Sequence, residues 1–253
     1  MAEKDVNEKL LEDYNDVFAD IVNGLLFGGE RKILEDQLEN MHVVSQYKAE
    51  TGRLHQEERD AIKKWHDGVI NIAVLGIENQ SDTFKYMPLR IIGYDGAAYR
   101  SQLLRYTRER KTKRNRRNIN KNKRKQFIPV PVVSLILYFG NRRWNKNLHL
   151  REVVKIPQEL DPYVSDYRIN VFEIAWLSDE QIACFISDFR IVANFFVRKR
   201  ENPDYVPDDP TDIEHVDEVL KLLSVITGDD RYERVCNTKE GKVKKYVRGC
   251  GKT

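Results

Sequence analysis

Apolar residues recur every three or four positions through the first part of the chain: Leu10, Leu11, Tyr14, Phe18, Ile21, Val22, Leu25 and Leu26. That spacing predicts a helix over residues 5–27, stopped by Gly28-Gly29. Residues 30–58 are mixed, with Leu34 and Leu38 suggesting a turn or short helix and His42–Tyr47 a first strand. Arg59–Gln80 then reads as two strands across a turn. The first covers Asp60–Trp65, and His66-Asp67-Gly68 reverses the chain, since Asp-Gly supplies the positive-φ positions of a tight hairpin. The second, Val69–Gln80, is apolar for most of its length and abruptly polar at its end. Alternation puts Ile70, Ile72, Val74, Glu78 and Gln80 on one face and Ala73, Leu75 and Ile77 on the other. A strand apolar on both faces belongs in the middle of a covered sheet.

Pro88 then sits in the first turn of a predicted helix, where a missing amide hydrogen does no harm. Leu89, Ile92, Ala97, Leu103 and Leu104 mark its apolar positions, weakened by Gly93 and Gly96. Phe127–Phe139 is the strongest strand pattern in the chain, with Pro129 and Pro131 confining regular pairing to its later part. Arg168–Ile174 is another strand candidate. Ser178 and Gln181 have capping-box spacing, and the helix they open is predicted to run to about Arg200. A Pro/Asp-rich linker, 203–210, precedes a last helix over Asp212–Val225.

Composition changes this picture in one place. The 253 residues are 41% hydrophobic and 33% charged, which suits a globular chain with a full core. The net charge of +3 conceals twelve Lys or Arg against one acid, Glu109, between Arg105 and Lys125. That segment carries +11 and the rest of the chain −8. Residues 105–126 have almost no apolar content, so a flexible, self-repelling loop is predicted. Such a block is either a solvated insertion or a polyanion site, each phosphate contact adding affinity by counterion release; nucleic acid is the favoured partner. Arg90 and Arg100 could also reach a phosphate. No stretch has the 18 or so apolar residues of a membrane span, no secretory pattern opens the chain, and Cys184, Cys236 and Cys250 have neither disulfide nor metal-knuckle spacing. A cytoplasmic location without membrane attachment is expected, with Cys184 in the core.

A covered strand ending in an acid and an amide, beside a neighbour offering another acid, can hold a divalent cation, because Mg²⁺ takes oxygen ligands from one or two carboxylates. Asp60, Glu78 and Gln80 are the candidates; the plain alternative is a solvated strand end. Asp13, Asp16 and Asp20 lie near the polar stripe of the first helix and read first as a solvated face. The five histidines are scattered, and neither a nucleophile triad nor a Gly-rich phosphate loop competes.

The order helix, strand, Asp-bearing hairpin, Glu-x-Gln strand, helix, strand resembles the core of the PD-(D/E)XK nucleases. More narrowly, the chain is similar to the Rpn family of recombination-promoting nucleases, also labelled putative transposases. The similarity rests on Phe18–Gly29, Gly76–Ser81, Tyr86–Arg90 with Tyr94-Asp95, Pro131–Gly140 and Asp166–Asn170. It implies an α/β fold with a restriction-endonuclease-like core, a central mixed sheet flanked by helices and a C-terminal helical extension. The division it suggests is a nuclease-like domain over 1–202, with the basic insertion 105–126, followed by linker, helix and basic tail over 203–253.

The activity implied is that of a Mg²⁺- or Mn²⁺-dependent DNA endonuclease promoting recombination or transposition. Asp60, Glu78 and Gln80 would be catalytic. Asp60 and Glu78 would hold the metal with Asp20 from the first helix, Asp16 being the alternate. Asp67 competes with Asp60, although its place in the turn argues against it. Gln80 stands where the superfamily often has Lys and brings no positive charge; Lys63 is a candidate to help position water. Arg108, Arg110, Lys111, Lys113, Arg114, Arg116, Arg117, Lys121, Lys123, Arg124 and Lys125 would contact DNA. Nucleases of this kind often pair to cut two strands, so a homodimer is compatible, but no interface is legible. The alternative function is a DNA-binding protein on a nuclease scaffold with little or no catalysis.

Overall fold

The computed structural model describes residues 11–41, 44–48, 54–58, 61–68, 71–115, 127–205 and 212–227. It is an α/β structure built on a five-stranded mixed sheet. The strands are β1 (Leu38–Asn40), β4 (Ala61–His66), β5 (Asn71–Gln80), β6 (Val132–Tyr138) and β7 (Asn170–Glu173), in that spatial order. Two further strands, β2 (Val44–Lys48) and β3 (Leu54–Glu58), form a separate antiparallel hairpin. β5, apolar on both faces, is the central strand, as its pattern predicts. It pairs antiparallel with β4, Ala61 lying opposite Ile77, and parallel with β6, Glu78 lying opposite Ile136. Regular pairing of β6 begins at Val132, after both prolines. The turn keeps its glycine for a reason: Gly68 has φ +86°, which a side chain would resist.

Helix α1 (Asn15–Phe27) ends at Gly28, whose φ of +61° closes it in the left-handed region. The predicted single helix over 5–27 is interrupted at Asp13-Tyr14. Tyr14 takes an extended backbone, and the Asp13 carbonyl accepts a hydrogen bond from Lys63 Nζ at 2.6 Å. Helix α2 (Met87–Asn115) crosses from β5 to β6. It runs eleven residues into the basic block, so Arg105–Asn115 is helical rather than the predicted loop. The predicted helix from Ser178 to Arg200 is two: α3 (Asp179–Ala183), with the Ser178/Gln181 capping box formed, and α4 (Phe189–Glu201). The last helix, α5 (Val216–Thr227), starts four residues later than predicted. Its lead-in is held by Asp188, whose carboxylate accepts from the amides of Glu214 and His215.

Two faces of the sheet receive different helices. Ala73, Leu75, Ile77, Leu135 and Leu137 join Phe18, Ile21 and Val22 of α1, Phe189, Val192 and Phe196 of α4, and Leu220 and Leu223 of α5 in one core. Ile136, on the other face, packs with Met87, Ile91 and Tyr94 of α2. Burial of that many large side chains, each stabilising by about 1.5–3 kcal/mol, drives assembly of the sheet. Within the first core Gly24 lets α1 meet Phe185, since a Cβ there would lie 2.3 Å from the ring.

Candidate functional site at the end of the central strand

Glu78 and Gln80 share the α2 face of β5, as the alternation requires. Glu78 is 5% exposed. Its Oε1 accepts from Gln80 Nε2 at 3.2 Å and from Arg90 Nη1 at 3.3 Å. Gln80 Nε2 also donates to the Asn79 carbonyl at 2.7 Å, which folds the amide back along its own strand. Arg90, from the first turn of α2, lies over the Phe84 ring at 4.8 Å and is part-exposed, so one cation is held beside the buried carboxylate. Tyr138 lies opposite Gln80 in the β5–β6 register, hence on the same face. Burial, helped by Asp82 and Glu173, raises its pKa and keeps the phenol protonated. Gly140 makes room for it, because a Cβ there would meet the Tyr138 hydroxyl at 2.1 Å. The strand end therefore presents a carboxylate, an amide, a guanidinium and a neutral phenol together.

Asp60 lies outside the described residues. It is covalently next to Ala61, whose partner Ile77 is covalently next to Glu78. Asp67, the competitor, is exposed beyond the end of β4, in the turn.

The other proposed metal ligand is elsewhere. Asp20 is buried, but its carboxylate accepts from the Ile186 amide (2.9 Å), the Ser187 amide (2.8 Å) and the Ser187 hydroxyl (2.7 Å). It anchors the loop between α3 and α4 on the α1 face of the sheet, opposite Glu78. The alternate, Asp16, bonds His215 Nε2 at 2.8 Å, and Tyr14 stacks on that imidazole at 3.8 Å. With Glu214 these make a group of three metal-capable donors within 4.8 Å of one another, again on the α1–α5 side. The Asp16–His215 bond and the ring stack account for it as the clip that docks α5. Lys63 also belongs to that face. It is 1% exposed, bonds Asp13 O and Asn40 Oδ1, and lies over Phe18, so it is not placed to assist Gln80.

Sequence reasoning missed Glu12. It lies just before the break that precedes α1 and is the acid that reaches the strand end, accepting at Oε2 from Asn79 Nδ2 at 3.0 Å, and it is 2% exposed. Asn79 sits between Glu78 and Gln80 and points to the other face, so Glu12 grips the site strand from behind. The signal that could have found it is the odd-face position of Asn79, a polar residue where the alternation demands an apolar one.

Of the basic residues, Arg108 is exposed on α2, and Arg110, Lys111, Lys113 and Arg114 lie on the same helix. Arg116, Arg117, Lys121, Lys123, Arg124 and Lys125 lie outside the described residues. Cys184, predicted in the core, is half-buried at the end of α3, its Sγ bonded to carbonyls of Gly28 and Glu180. Among the described residues no helix is long and apolar enough to cross a membrane. Comparison with protein-family models, curated proteins and solved structures finds no match.

Proposed function

We propose that the chain is a metal-dependent DNA endonuclease with a PD-(D/E)XK-type core, of the Rpn kind that promotes recombination. The observation that carries this reading is the strand end itself: Glu78 and Gln80 side by side on the central strand, beside Arg90 from the first turn of α2, whose later stretch Arg105–Asn115 carries +5. The donor set fits a hard cation, because the groups offered are a carboxylate and an amide oxygen, with Asp60 next in sequence to the paired strand. Glu78 and Asp60 would hold Mg²⁺ or Mn²⁺. When bound, such an ion lowers the pKa of water and polarises the phosphoryl group.

The chain's own residues supply the rest. Arg90 moves from Glu78 to a phosphate oxygen when substrate arrives, exchanging one charge-assisted bond for another. Gln80 orients the attacking water, whose oxygen forms the new P–O bond as the ester P–O bond breaks. Tyr138, held neutral by burial, lies opposite Gln80 on the same face of the adjacent strand. The cations of α2 hold the backbone of either strand without reading sequence.

A second reading has one observation in its favour. Lys63 is turned to the opposite face, so the cation at Glu78 is an arginine already bonded to it, and Gln80 brings none. A DNA-binding protein with catalysis reduced or lost on a nuclease scaffold would look the same. Supercoiled-plasmid cleavage in Mg²⁺ or EDTA, with wild type beside Asp60→Ala and Glu78→Ala, separates the two. The endonuclease reading expects metal-dependent nicking that both substitutions abolish while DNA affinity stays within about twofold. Binding without cleavage in the wild type refutes it and leaves the basic helix as the functional part.

A further inference from the structure

Helix α2 carries an apolar stripe that the described residues leave exposed. Of the thirteen large apolar side chains exposed among the described residues, seven lie between Phe84 and Leu104. Met87, Ile91, Tyr94 and Ala98 face the sheet. Leu89, Ile92, Gly93, Gly96, Tyr99 and Leu103 form the outer stripe, with exposures from 36% at Ile92 to 54% at Leu103. The stripe is fixed in place, because Tyr99 Oη accepts from the Val132 amide at 3.1 Å and Gln102 pairs with Val130. Gly93 and Gly96 are poor choices for the middle of a helix. None of the described residues lies within 4 Å of where their Cβ atoms would stand, so no packing among them requires these glycines.

We propose that α2 pairs with α2 of a second copy, antiparallel, about a two-fold axis passing by Gly96. In that register residue numbers on the two helices sum to 192. Gly96 then meets its own symmetry mate, allowing close approach of the backbones. Gly93 receives Tyr99, a large ring over a bare backbone, Ile92 is covered by the aliphatic stem of Arg100, and Leu89 meets Leu103. An isologous interface needs such a self-complementary patch.

Charge selects the same arrangement. Residues 87–104 carry +1, whereas 105–115 carry +5. Residue 105 pairs with residue 87, so the basic ends overhang just where the partner helix begins. The overlap is 19 residues, about 28 Å. The two basic ends start about 14 Å either side of the axis, so they stand farther apart than a Debye length of about 10 Å. A parallel pair would bring them together. The chain's own segment 228–253 carries +4, so the helix would repel it. The four large stripe side chains expose on the order of 400 Å² per copy, or about 800 Å² over both, the size of a weak, concentration-dependent interface. The inference does not rest on the nuclease reading.

The test is sedimentation of the full chain, freed of nucleic acid, from 2 to about 100 µM, with Leu89→Lys/Leu103→Lys alongside. The expected result is a mass rising from 29.8 kDa toward twice that value for the wild type. The double variant, shown folded by circular dichroism, should dimerise at least tenfold more weakly. With Cys184, Cys236 and Cys250 replaced by Ser, Gly96→Cys should cross-link to itself through a short bismaleimide. Leu103→Cys should cross-link only when mixed with Leu89→Cys. A monomer at every concentration overturns the proposal. So does a dimer that survives the double Lys variant, or one that cross-links at neither Gly96 nor the mixed pair, since its interface is then elsewhere.

Discussion

Asp20→Ala separates a metal ligand from a structural anchor. The Asp20 carboxylate accepts hydrogen bonds from two backbone amides and one hydroxyl, all within a 5%-exposed setting. Hydrogen bonds to a charged group contribute about 1.5–3 kcal/mol each, and stranding buried donors adds a desolvation penalty. The bonds share one carboxylate and the emptied space can admit water, so the sum is far from additive; about 3–4 kcal/mol is the reasonable total. At roughly 2–4 °C per kcal/mol for a chain of this size, the midpoint should fall by about 10 °C. Asp20→Asn keeps one acceptor oxygen but turns an amide NH₂ toward donors, and should lose about 2–3 kcal/mol. Urea unfolding followed by far-ultraviolet circular dichroism measures both. Mg²⁺ dependence of cleavage, taken at a temperature where both variants are folded, should be unchanged. Asp20→Asn with wild-type stability and weakened metal dependence would refute the anchor role and return Asp20 to the metal site.

Three other outcomes test the packing and the charge. Lys63 has its pKa lowered, chiefly by burial, so between that value and about 10.4 the unfolded chain binds more protons than the folded one. Wild-type stability should therefore rise with pH through that window relative to Lys63→Met, measured as the difference of paired urea melts from pH 7 to 10.5; a flat difference sinks the argument. Gly24→Ala should destabilise by about 1–3 kcal/mol, since its Cβ would meet the Phe185 ring at 2.3 Å, and Gly24→Ala/Phe185→Leu should recover part of the loss in a double-mutant cycle. Replacing Arg105, Arg108, Arg110 and Lys111 by Gln should weaken DNA binding and reduce the slope of log affinity against log salt by about 3–4 on duplex DNA. An unchanged slope would show that these cations do not touch phosphate.

The linear pattern of the chain determined where β5 sits, because a strand apolar on both faces has to be central, and it determined that Glu78 and Gln80 share a side, because side chains alternate. It likewise marked the start of β6 through its prolines, the α3 capping box and the glycine stop of α1. These are local rules, satisfied by the residues in question and their immediate neighbours. What only the tertiary structure decided depends on groups far apart in sequence. Asp20 reads as a helix-face acid until Ser187 arrives from 167 residues away to occupy it. Lys63 reads as a sheet cation near the site until Asp13 turns its carbonyl, breaks the first helix and holds the ammonium on the opposite face. Glu12 acquires its place at the strand end only because Asn79 reaches it across 67 residues. A carboxylate or ammonium has many acceptable partners, and burial together with long-range geometry chooses among them; an apolar strand has only one acceptable environment, which is why its place could be read directly.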